Sequence, residues 1–421
     1  MKILWITNIL FPEAKTLILG KADLKASGGW MIGLASSISR HPDIELSIAT
    51  VSPVVSYINI SKGENATYYT IPYGKGNIWY NDEYETQWKE VYKQASPDIV
   101  HIHGTEYSHG LAFLKACPEA KVVVSIQGLT SAIHQFYNKG LTTSQIIRNI
   151  SLRDILRNDN LLHAKKVYKK RGEQVEKEIL KSVGHIIGRT DWDRAHSWNI
   201  NPDAEYHFCN ETLRDEFYTG RWEYDRCEKH TIFLSQAMYP LKGFHEVLEA
   251  LPPVIQKYPD TKVKIAGVNI TKYDTLKDKC SITGYGRIIR NIIHNNKLEK
   301  HIEFTGPLNA MEMKDILLKS NVFICPSSIE NSPNSLGEAQ MLGVPCIASF
   351  TGGIPSMIPN RNCGLMYNFE DTAMLAHHIV TIFDESGDFD NTEMIATAQE
   401  RHNKERNAIS QITIYKEILS K

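Results

Sequence analysis

The chain lacks the features that would mark a disulfide-stabilised, membrane-spanning or nucleic-acid-binding protein. Its 421 residues include only seven cysteines, scattered without a Cys-x-x-Cys pair or a metal-like spacing. This usage favours a reducing compartment. No apolar run approaches the roughly 18 residues of a membrane span. The formal net charge is −1, so we expect no nucleic-acid partner and no global attraction to a membrane.

The first residues form an apolar run with some likeness to a signal peptide. The run MKILWITNILF has one early lysine, breaks at Pro12-Glu13 and lacks a small-residue cleavage site. These features favour a buried first strand over a secretion signal. We expect a cytoplasmic protein, and peripheral association with the inner face of the membrane stays open.

Short apolar segments alternate with helical patterns in two series along the chain. The first series is ILWIT (3–7), IELSIAT (44–50), IVHIH (99–103), KVVVSI (121–126) and HIIG (185–188). The second, TIFLSQA, KVKIAG, HIEFTG, NVFICP and VPCIAS, starts near residue 231. This alternation predicts an α/β protein with two Rossmann-like domains, each with a parallel sheet covered on both faces.

The same pattern predicts the domain boundaries. The predicted segments are an N-terminal domain at 1–210 with a helical insertion at about 130–185, a linker at 211–230, a C-terminal domain at 231–393 and a final helix at 394–421.

Two glutamates flank a polar turn between two predicted strands. Glu330 and Glu338 are separated by seven residues that include Asn-Ser-Pro-Asn-Ser. Open α/β sheets bind ligands at such strand-to-helix edges, and N–H groups at a helix start suit an anion. Carboxylates suit the hydroxyls of ribose or a hexose. Alternatively, Ser335 to Glu338 also fits a capping box, which needs no ligand.

Three further segments fit a phosphate-binding edge. Gly28-Gly29 follows the first strand and opens a helix, where it suits either a phosphate or a tight turn. Lys242 precedes Gly243 at another helix start, where a lysine neutralises a diphosphate or is simply exposed. The glycine-rich loop TGGIP, residues 351–355, follows the VPCIAS strand and would bring backbone to the same edge.

In this order the segments resemble the retaining family-4 glycosyltransferases of the GT-B fold. PSSIENSPNSLGEAQMLGVPCIAS followed by TGGIP is similar to the E-x7-E segment of that family. LSQAMYPLKGFHEVLEAL resembles its phosphate-binding segment, and PDIVHIHG resembles a strand of its first domain. The resemblance implies two Rossmann-like domains facing across a cleft, with the C-terminal helix crossing back to the first domain. It also implies a nucleotide-sugar donor in the C-terminal domain and an acceptor in the N-terminal domain.

The resemblance further implies roles for the glutamate segment. Glu338 would bind the ribose hydroxyls of the nucleotide, and Glu330 would contact the donor sugar. The amides of Asn334, Ser335 and Leu336 would bind sugar hydroxyls or the diphosphate.

Lys242 would stabilise the charge that grows on the leaving diphosphate. Gly28 and Gly29 would let the backbone of the first domain approach the phosphates. The family often has an arginine six residues before the lysine, where this chain has Gln236. An amide at this donor-binding position donates a hydrogen bond but no charge, so more of the stabilisation would depend on Lys242.

A second departure lies in the N-terminal domain. The family often has a histidine that contacts the donor sugar where this chain has Gln127. His101, His103 and Glu106 lie at the end of a neighbouring predicted strand. His103 is a candidate for contacting the acceptor, and a structural role for a histidine at a strand end is the alternative.

The residues Asp191-Trp192-Asp193 have the Asp-x-Asp spacing that binds a metal in another glycosyltransferase fold. Here Thr190 and Asp193 also fit an N-terminal helix cap. We favour the cap, and we therefore predict no metal site and no cofactor apart from the donor substrate.

The predicted insertion is rich in cations between residues 148 and 181. They are Arg148, Arg153, Arg157, Lys165, Lys166, Lys169, Lys170, Arg171, Lys177 and Lys181. The surface suits an anionic acceptor or the phosphates of an anionic membrane, and a solvated helix face is the alternative.

The sequence thus predicts a retaining, metal-independent enzyme that transfers a sugar from a nucleotide sugar to a glycan or lipid-linked acceptor in cell-surface polysaccharide synthesis. Two alternatives stay open. The neutral Gln236 and Gln127 would suit a GT-B protein that binds a nucleotide sugar or glycan without turnover. A sugar-nucleotide epimerase would share the two-domain architecture.

Overall fold

The computed structural model describes residues 1–20, 29–73 and 79–421. Gly28 lies outside these ranges. The described chain divides into two compact units, each with its own sheet. The first unit comprises Met1–Ala132, Tyr168–Arg214 and Arg401–Lys421, and the second comprises Ile133–Val167 and Asp215–Glu400.

The strands of the first unit are β1 (Lys2–Thr7), β2 (Glu45–Ser52), β3 (Asn59–Lys62), β4 (Thr67–Pro72), β5 (Ile99–His103), β6 (Val122–Ser125), β7 (His185–Gly188) and β8 (Glu205–Phe208). The strands of the second unit are β9 (Glu228–Leu234), β10 (Lys262–Ala266), β11 (Ile302–Gly306), β12 (Ser320–Cys325), β13 (Cys346–Ser349) and β14 (Leu365–Tyr367).

The α-helices in the first half of the chain are α1 (Pro12–Leu19), α2 (Gly29–Ser39), α3 (Glu85–Ala95), α4 (Ser108–Ala116), α5 (Thr130–Ile133), α6 (Thr143–Arg148), α7 (Leu152–Arg157), α8 (Leu161–Arg171), α9 (Lys177–Lys181) and α10 (Asp191–Ile200). A π-helical segment, Gly172–Glu176, joins α8 to α9. The remaining helices are α11 (Phe244–Lys257), α12 (Leu276–Ser281), α13 (Gly284–Asn295), α14 (Ala310–Lys319), α15 (Asn334–Leu342), α16 (Thr372–Glu385), α17 (Thr392–Arg401) and α18 (Lys404–Ser420).

The first unit contains an eight-stranded sheet in the order β3-β4-β2-β1-β5-β6-β7-β8. Its described strand pairs are parallel apart from the antiparallel edge pair β3 and β4. A parallel sheet covered on both faces needs strands that are apolar throughout. The central strand β1 meets this need, because every residue from Ile3 to Thr7 is buried.

The second unit contains a six-stranded parallel sheet in the order β11-β10-β9-β12-β13-β14. Counted from β9, this is the 3-2-1-4-5-6 order of the doubly wound fold. From β9 the chain adds β10 and β11 towards one edge of the sheet, and from β12 it adds β13 and β14 towards the other edge. The place between β9 and β12 where this progression changes direction is the switch point of the sheet. The loops that leave the carboxyl ends of these two strands therefore flank the position where such sheets bind ligands.

The predicted helical insertion is divided between the two units. Residues 133–167 group with the second unit, whereas residues from Tyr168 onward group with the first. Asp154 of α7 accepts a hydrogen bond from the Gly284 N–H at the start of α13, at 2.8 Å. Arg287 of α13 donates to the Ile150 carbonyl at 3.0 Å. The prediction that the whole insertion belongs to the first domain is therefore wrong for 133–167.

The predicted final helix is two helices, α17 and α18. Within the predicted segment 394–421, the residues from Arg401 onward group with the first unit and those before it group with the second. The return of a C-terminal helix to the first unit is confirmed for α18, which contributes Ile412 and Tyr415 to the core around Trp5. The Tyr415 hydroxyl accepts a hydrogen bond from Trp5 Nε1 at 3.0 Å and lies 2.6 Å from His101 Nδ1.

We expect Tyr415→Phe to lower the free energy of unfolding of the first unit by about 1–3 kcal/mol, because it leaves buried polar groups of Trp5 and His101 without their partner. Urea titration measures the change. Tyr57→Phe is the matched control, because its side chain is 74% exposed and should leave stability unchanged. Equal stabilities for the two variants would contradict this account of how α18 is held.

Candidate functional site

The loops after β9 and β12 bring a lysine and a glutamate into contact at the switch point of the second unit. Lys242 Nζ lies 2.5 Å from Glu330 Oε1. The same carboxylate oxygen accepts from Ser327 Oγ at 2.8 Å. Burial alone would lower the pKa of Lys242, but the Glu330 carboxylate outweighs it and the net shift is upward. Lys242 is therefore a stable cation beside an acidic partner.

Close backbone packing fixes the two loops against each other. Gly243 has a φ of 65°, and a Cβ at this position would overlap the carbonyl oxygen of Pro326. The Ser328 N–H donates to the Leu241 carbonyl at 2.8 Å. Glycine is required here because the left-handed conformation and the close approach both exclude a side chain.

The glycine-rich loop after β13 joins the same edge. Gly353 N–H donates to the Glu330 carbonyl at 2.9 Å, and Thr351 Oγ1 donates to the Ser328 carbonyl at 2.9 Å. A Cβ at Gly352 would overlap the Glu330 carbonyl oxygen. The predicted convergence of this loop with the glutamate segment is present in the structure.

Helix α15 begins at Asn334 without a side-chain cap. Its N-cap residue is Pro333, and Ser335 lies inside the first turn, so the alternative of a capping box from Ser335 to Glu338 is wrong. Asn334 Oδ1 is buried without a hydrogen-bond partner among the described residues. Uncapped N–H groups at a helix start form a site for an anion.

Glu338 and Leu336 are buried within α15, and Ser335 is half-buried. Glu338 is 3% exposed and lies four residues after Asn334, so the two share a helix face. Sequence reasoning missed Gln340, whose Nε2 donates to the carbonyls of Met357 and Cys363, each at 3.0 Å. These two hydrogen bonds hold α15 against the loop that follows it. No sequence motif predicted them.

Gln236 is half-buried two residues after the end of β9. It therefore lies in the same loop as Lys242, six residues earlier. Its amide adds no charge, so Lys242 is the cation that this loop brings to the Glu330 carboxylate.

His103 lies at the carboxyl end of β5 in the first unit and is 2% exposed. Its ring packs against Trp5 at 4.5 Å and His101 at 3.8 Å between centroids. Ser125 Oγ lies 3.3 Å from His103 Nδ1. Burial, aided by Arg189, lowers the pKa of His103 to about 3. These surroundings are those of a neutral core histidine, and an acceptor contact through it stays a prediction.

Glu106 follows the same strand and is half-buried as a residue, although its Oε2 atom is buried. Its Oε1 accepts from the Gly128 N–H at 3.1 Å, and its Oε2 has no hydrogen-bond partner among the described residues. Burial, with a smaller effect from Glu176, raises the pKa of Glu106 to about 7. A Cβ at Gly104, whose φ is 89°, would come within 2.5 Å of that Oε2 and 3.5 Å of Gln127. Glu106 is thus a stronger candidate for contacting a ligand than His103.

Gly29 is the first residue of α2, after the carboxyl end of β1. A Cβ here would come 2.5 Å from Cγ of Arg214. A flexible side chain causes this crowding, so the structure does not require glycine at this position, and an approach of its backbone to phosphate stays a prediction.

The predicted cap at Asp191–Asp193 is confirmed. The Thr190 side chain and Asp193 form a capping box at the start of α10. Asp193 also accepts from the Arg189 N–H at 3.0 Å and from the Tyr206 hydroxyl at 2.5 Å. Its carboxylate is therefore already used within the first unit.

One group with metal-ligand chemistry lies elsewhere in the first unit. His185, Glu205 and His207 bring ligand atoms within 4.8 Å of one another. They lie near the amino-terminal ends of β7 and β8, at the opposite sheet edge from His103, and Lys421 contacts the Glu205 carboxylate. Their spacing of 19 and one intervening residues gave no signal in the sequence.

Comparison with known proteins shows what this chain is similar to. Residues 224–401 match the model of "Glycosyl transferases group 1". Glycogen synthase of Mycobacterium tuberculosis is 22% identical over 295 residues, which cover 69% of this chain and 61% of that protein. The chain thus spans about three fifths of that relative.

One further relative is similar in sequence over a shorter segment, and one solved structure is similar in fold. An Escherichia coli UDP-Gal:alpha-D-GlcNAc-diphosphoundecaprenol alpha-1,3-galactosyltransferase is 29% identical over 108 residues, which cover 25% of this chain and 27% of that protein. The solved structure of sucrose-phosphate synthase from Thermosynechococcus elongatus matches with a TM-score of 0.71 at 15% identity, over 99% of each chain. This structural likeness concerns the fold.

We expect Gly243→Ala to destabilise the second unit by about 1–3 kcal/mol through its left-handed conformation, and further through overlap with Pro326. Urea titration measures the loss. Gly387→Ala is the control, because its added Cβ would make only ordinary contacts with Tyr224. A Gly243→Ala variant as stable as the control would show that the two loops need no such close approach.

Proposed function

We propose that this protein is a retaining glycosyltransferase, because residues 224–401 match the model of glycosyl transferases group 1 and the chain has the GT-B fold. It transfers a sugar from a nucleotide-sugar donor to a hydroxyl of a glycan or lipid-linked acceptor in cell-surface polysaccharide synthesis. The observation that carries the proposal is the contact of Lys242 with Glu330 beside the uncapped start of α15, at the switch point of the second sheet.

Each group at this edge suits one part of a nucleotide-sugar donor. The amides of Asn334, Ser335 and Leu336 suit phosphate or sugar oxygens. Buried Glu338, on the same helix, suits the paired hydroxyls of ribose, because a carboxylate accepts two hydrogen bonds at once. Gln236 and the backbone near Gly29 are secondary donor contacts in this proposal.

Lys242 and Glu330 act as a pair in the proposed reaction. In their mutual contact the two charges cancel. We propose that the ammonium exchanges the carboxylate for the donor phosphates, which frees Glu330 to contact the sugar. While the pair is intact, the Glu330 carboxylate shifts the pKa of Lys242 upward and keeps the ammonium charged.

The proposed transfer needs no protein nucleophile. The acceptor oxygen forms a bond to the anomeric carbon on the face from which the diphosphate departs, and the bond from that carbon to the phosphate oxygen breaks. The acceptor proton passes to the leaving phosphate oxygen. Lys242 and the α15 amides stabilise the charge that develops there.

We assign acceptor binding to the first unit and a lipid-linked glycan as the acceptor class. The Escherichia coli relative acts on a diphosphoundecaprenol-linked sugar by its name, which supports this class. Glu106, at the switch point of the first sheet, is the contact we favour, ahead of His103.

Catalysis proceeds without a metal in this proposal. The Asp193 carboxylate is engaged in its helix cap, and Glu330, once released by Lys242, contacts the donor sugar in the proposed reaction. Positive potential at the diphosphate then comes from the lysine and from backbone N–H groups.

Nucleotide binding tests the role of Glu338. We expect Glu338→Gln to weaken binding of the preferred nucleotide by about 1–3 kcal/mol, because a charged hydrogen bond to ribose is lost. Calorimetric titration after a screen of nucleotides measures the change. Glu249→Gln, at an exposed glutamate of α11, is the control and should bind as the wild type does. Unchanged affinity in a folded Glu338→Gln protein would refute the ribose contact.

Turnover under chelation tests the metal-free mechanism. We expect activity to survive thorough chelation, and Lys242→Ala to lower kcat by about 10²–10³-fold, as for loss of one charge-stabilising donor. Lys257→Ala is the matched control, because Lys257 pairs with Asp384 at 2.7 Å on the surface of the same unit. Activity that requires added magnesium or manganese would overturn the mechanism.

The same assays separate the alternatives. Nucleotide-sugar binding without product for any acceptor would indicate a binding protein, and conversion of the donor without an acceptor would indicate an epimerase.

A further inference from the structure

Helix α7 is oriented with its polar side inward. Asp154 is 2% exposed, and the N-cap Ser151 is 1% exposed. In contrast, Leu152, Ile155 and Leu156 are 54%, 67% and 75% exposed. A surface helix of a soluble protein normally does the reverse, because burial of apolar side chains drives packing. The reversed orientation leaves an exposed apolar surface, which is typical of a site that binds a partner.

Specific bonds hold the helix in this orientation. Ser151 and Asp154 form a capping box, and the same Asp154 carboxylate accepts from the Gly284 N–H at 2.8 Å. Asn291 Nδ2 donates to Asn149 Oδ1 at 2.9 Å in the preceding turn. Turning the apolar side inward would break these bonds, so the exposed face is fixed by the structure.

Neighbouring side chains extend the face. Ile147 on α6 is 55% exposed, and Leu276 on α12, which packs beside α7, is 81% exposed. We call Ile147, Leu152, Ile155, Leu156 and Leu276 the apolar face. All five belong to the second unit. Adjacent exposed apolar residues of this size mark an interaction site more often than scattered ones do.

The surroundings of the apolar face are basic. Exposed cations on the same three helices and the turns that flank them are Arg148, Arg157, Lys272, Lys277 and Lys279, and the exposed acids there are Asp159 and Asp274. Asp159 lies 3.6 Å from Arg153. Apolar side chains within a surplus of cations match the interface of an anionic bilayer, where the chains enter the headgroup region and the cations meet lipid phosphates.

We propose that the apolar face of α6, α7 and α12 docks this protein peripherally on an anionic membrane. This places the membrane contact on α6, α7 and α12 of the second unit rather than on the lysines of α8, for which the sequence left a membrane surface and a solvated helix face as alternatives. Among the described residues no helix has the length and apolar character to cross a bilayer. The inference rests on the proposed function only in its purpose, which is access to a lipid-linked acceptor.

Vesicle binding tests the proposal directly. Wild-type protein should cosediment with vesicles of phosphatidylcholine and 30% phosphatidylglycerol, and binding should weaken as salt rises. Leu152→Ser/Ile155→Ser/Leu156→Ser should weaken partitioning by about tenfold or more, because it removes the apolar area that enters the lipid. Its thermal stability should not fall, since these side chains are exposed.

Matched variants separate the face from general surface effects. Leu17→Ser/Leu19→Ser/Ile409→Ser changes three apolar residues of the first unit that are 46–48% exposed and should bind vesicles as the wild type does. Arg148→Glu/Arg157→Glu/Lys277→Glu should lose binding to anionic vesicles, whereas Lys165→Glu/Lys166→Glu on α8 should retain most of it.

Three outcomes would overturn the proposal. They are wild-type protein that does not bind anionic vesicles, a serine variant of α7 that binds them equally well, and wild-type self-association that the serine variant abolishes without any vesicle effect. The last outcome would identify the face as a contact between copies of the chain. A nucleotide-sugar thermal shift tests donor binding separately, and its failure alongside intact vesicle binding would refute only the proposed function.

Discussion

The site of the second unit depends on the approach of two loop backbones that a single side chain would prevent. Gly243 lies against the Pro326 carbonyl, and Ser328 is bonded to Leu241. This packing brings Lys242, from the loop after β9, to Glu330, from the loop after β12. The 2.5 Å contact between them is thus a consequence of sheet order and one glycine. Without both constraints, the charged groups of the two loops would be separate surface residues.

The sequence predicted the two sheets well because parallel strands buried on both faces read as short apolar runs. The convergence of Lys242, Glu330 and the loop at 351–355 was also predictable, since all three follow strands whose carboxyl ends share an edge. The hydrogen bonds within the site were not predictable from the sequence. The N-cap residue of α15 is Pro333 rather than Ser335, and it supplies no side-chain cap. The helix therefore begins two residues earlier than the motif suggests.

The insertion shows where local patterns fail. Helical periodicity predicts that residues 133–167 form helices, but it holds no information on which sheet they join. The hydrogen bond from the Gly284 N–H to Asp154, between residues 130 positions apart, joins this segment to the second unit. It requires a buried aspartate on a helix whose leucines are exposed. A pattern that assumes apolar residues face inward assigns this helix the wrong orientation. Likewise, His103 at a strand end resembled an accessible ligand contact, whereas Trp5 and His101 cover its ring.

The charge balance at the switch point also bears on the missing arginine at Gln236. The lysine and glutamate cancel each other in their contact, so the remaining positive potential of this edge comes from backbone N–H groups at the start of α15. A second cation would compete with Lys242 for Glu330 as well as for phosphate. In the proposed reaction, with Gln236 in place, Lys242 has one carboxylate to exchange for the donor phosphates. That exchange would favour a donor that offers both a diphosphate to the ammonium and a hydroxyl-bearing sugar to the carboxylate. In this proposal the neutral residue changes how the site selects its donor rather than abolishing the site.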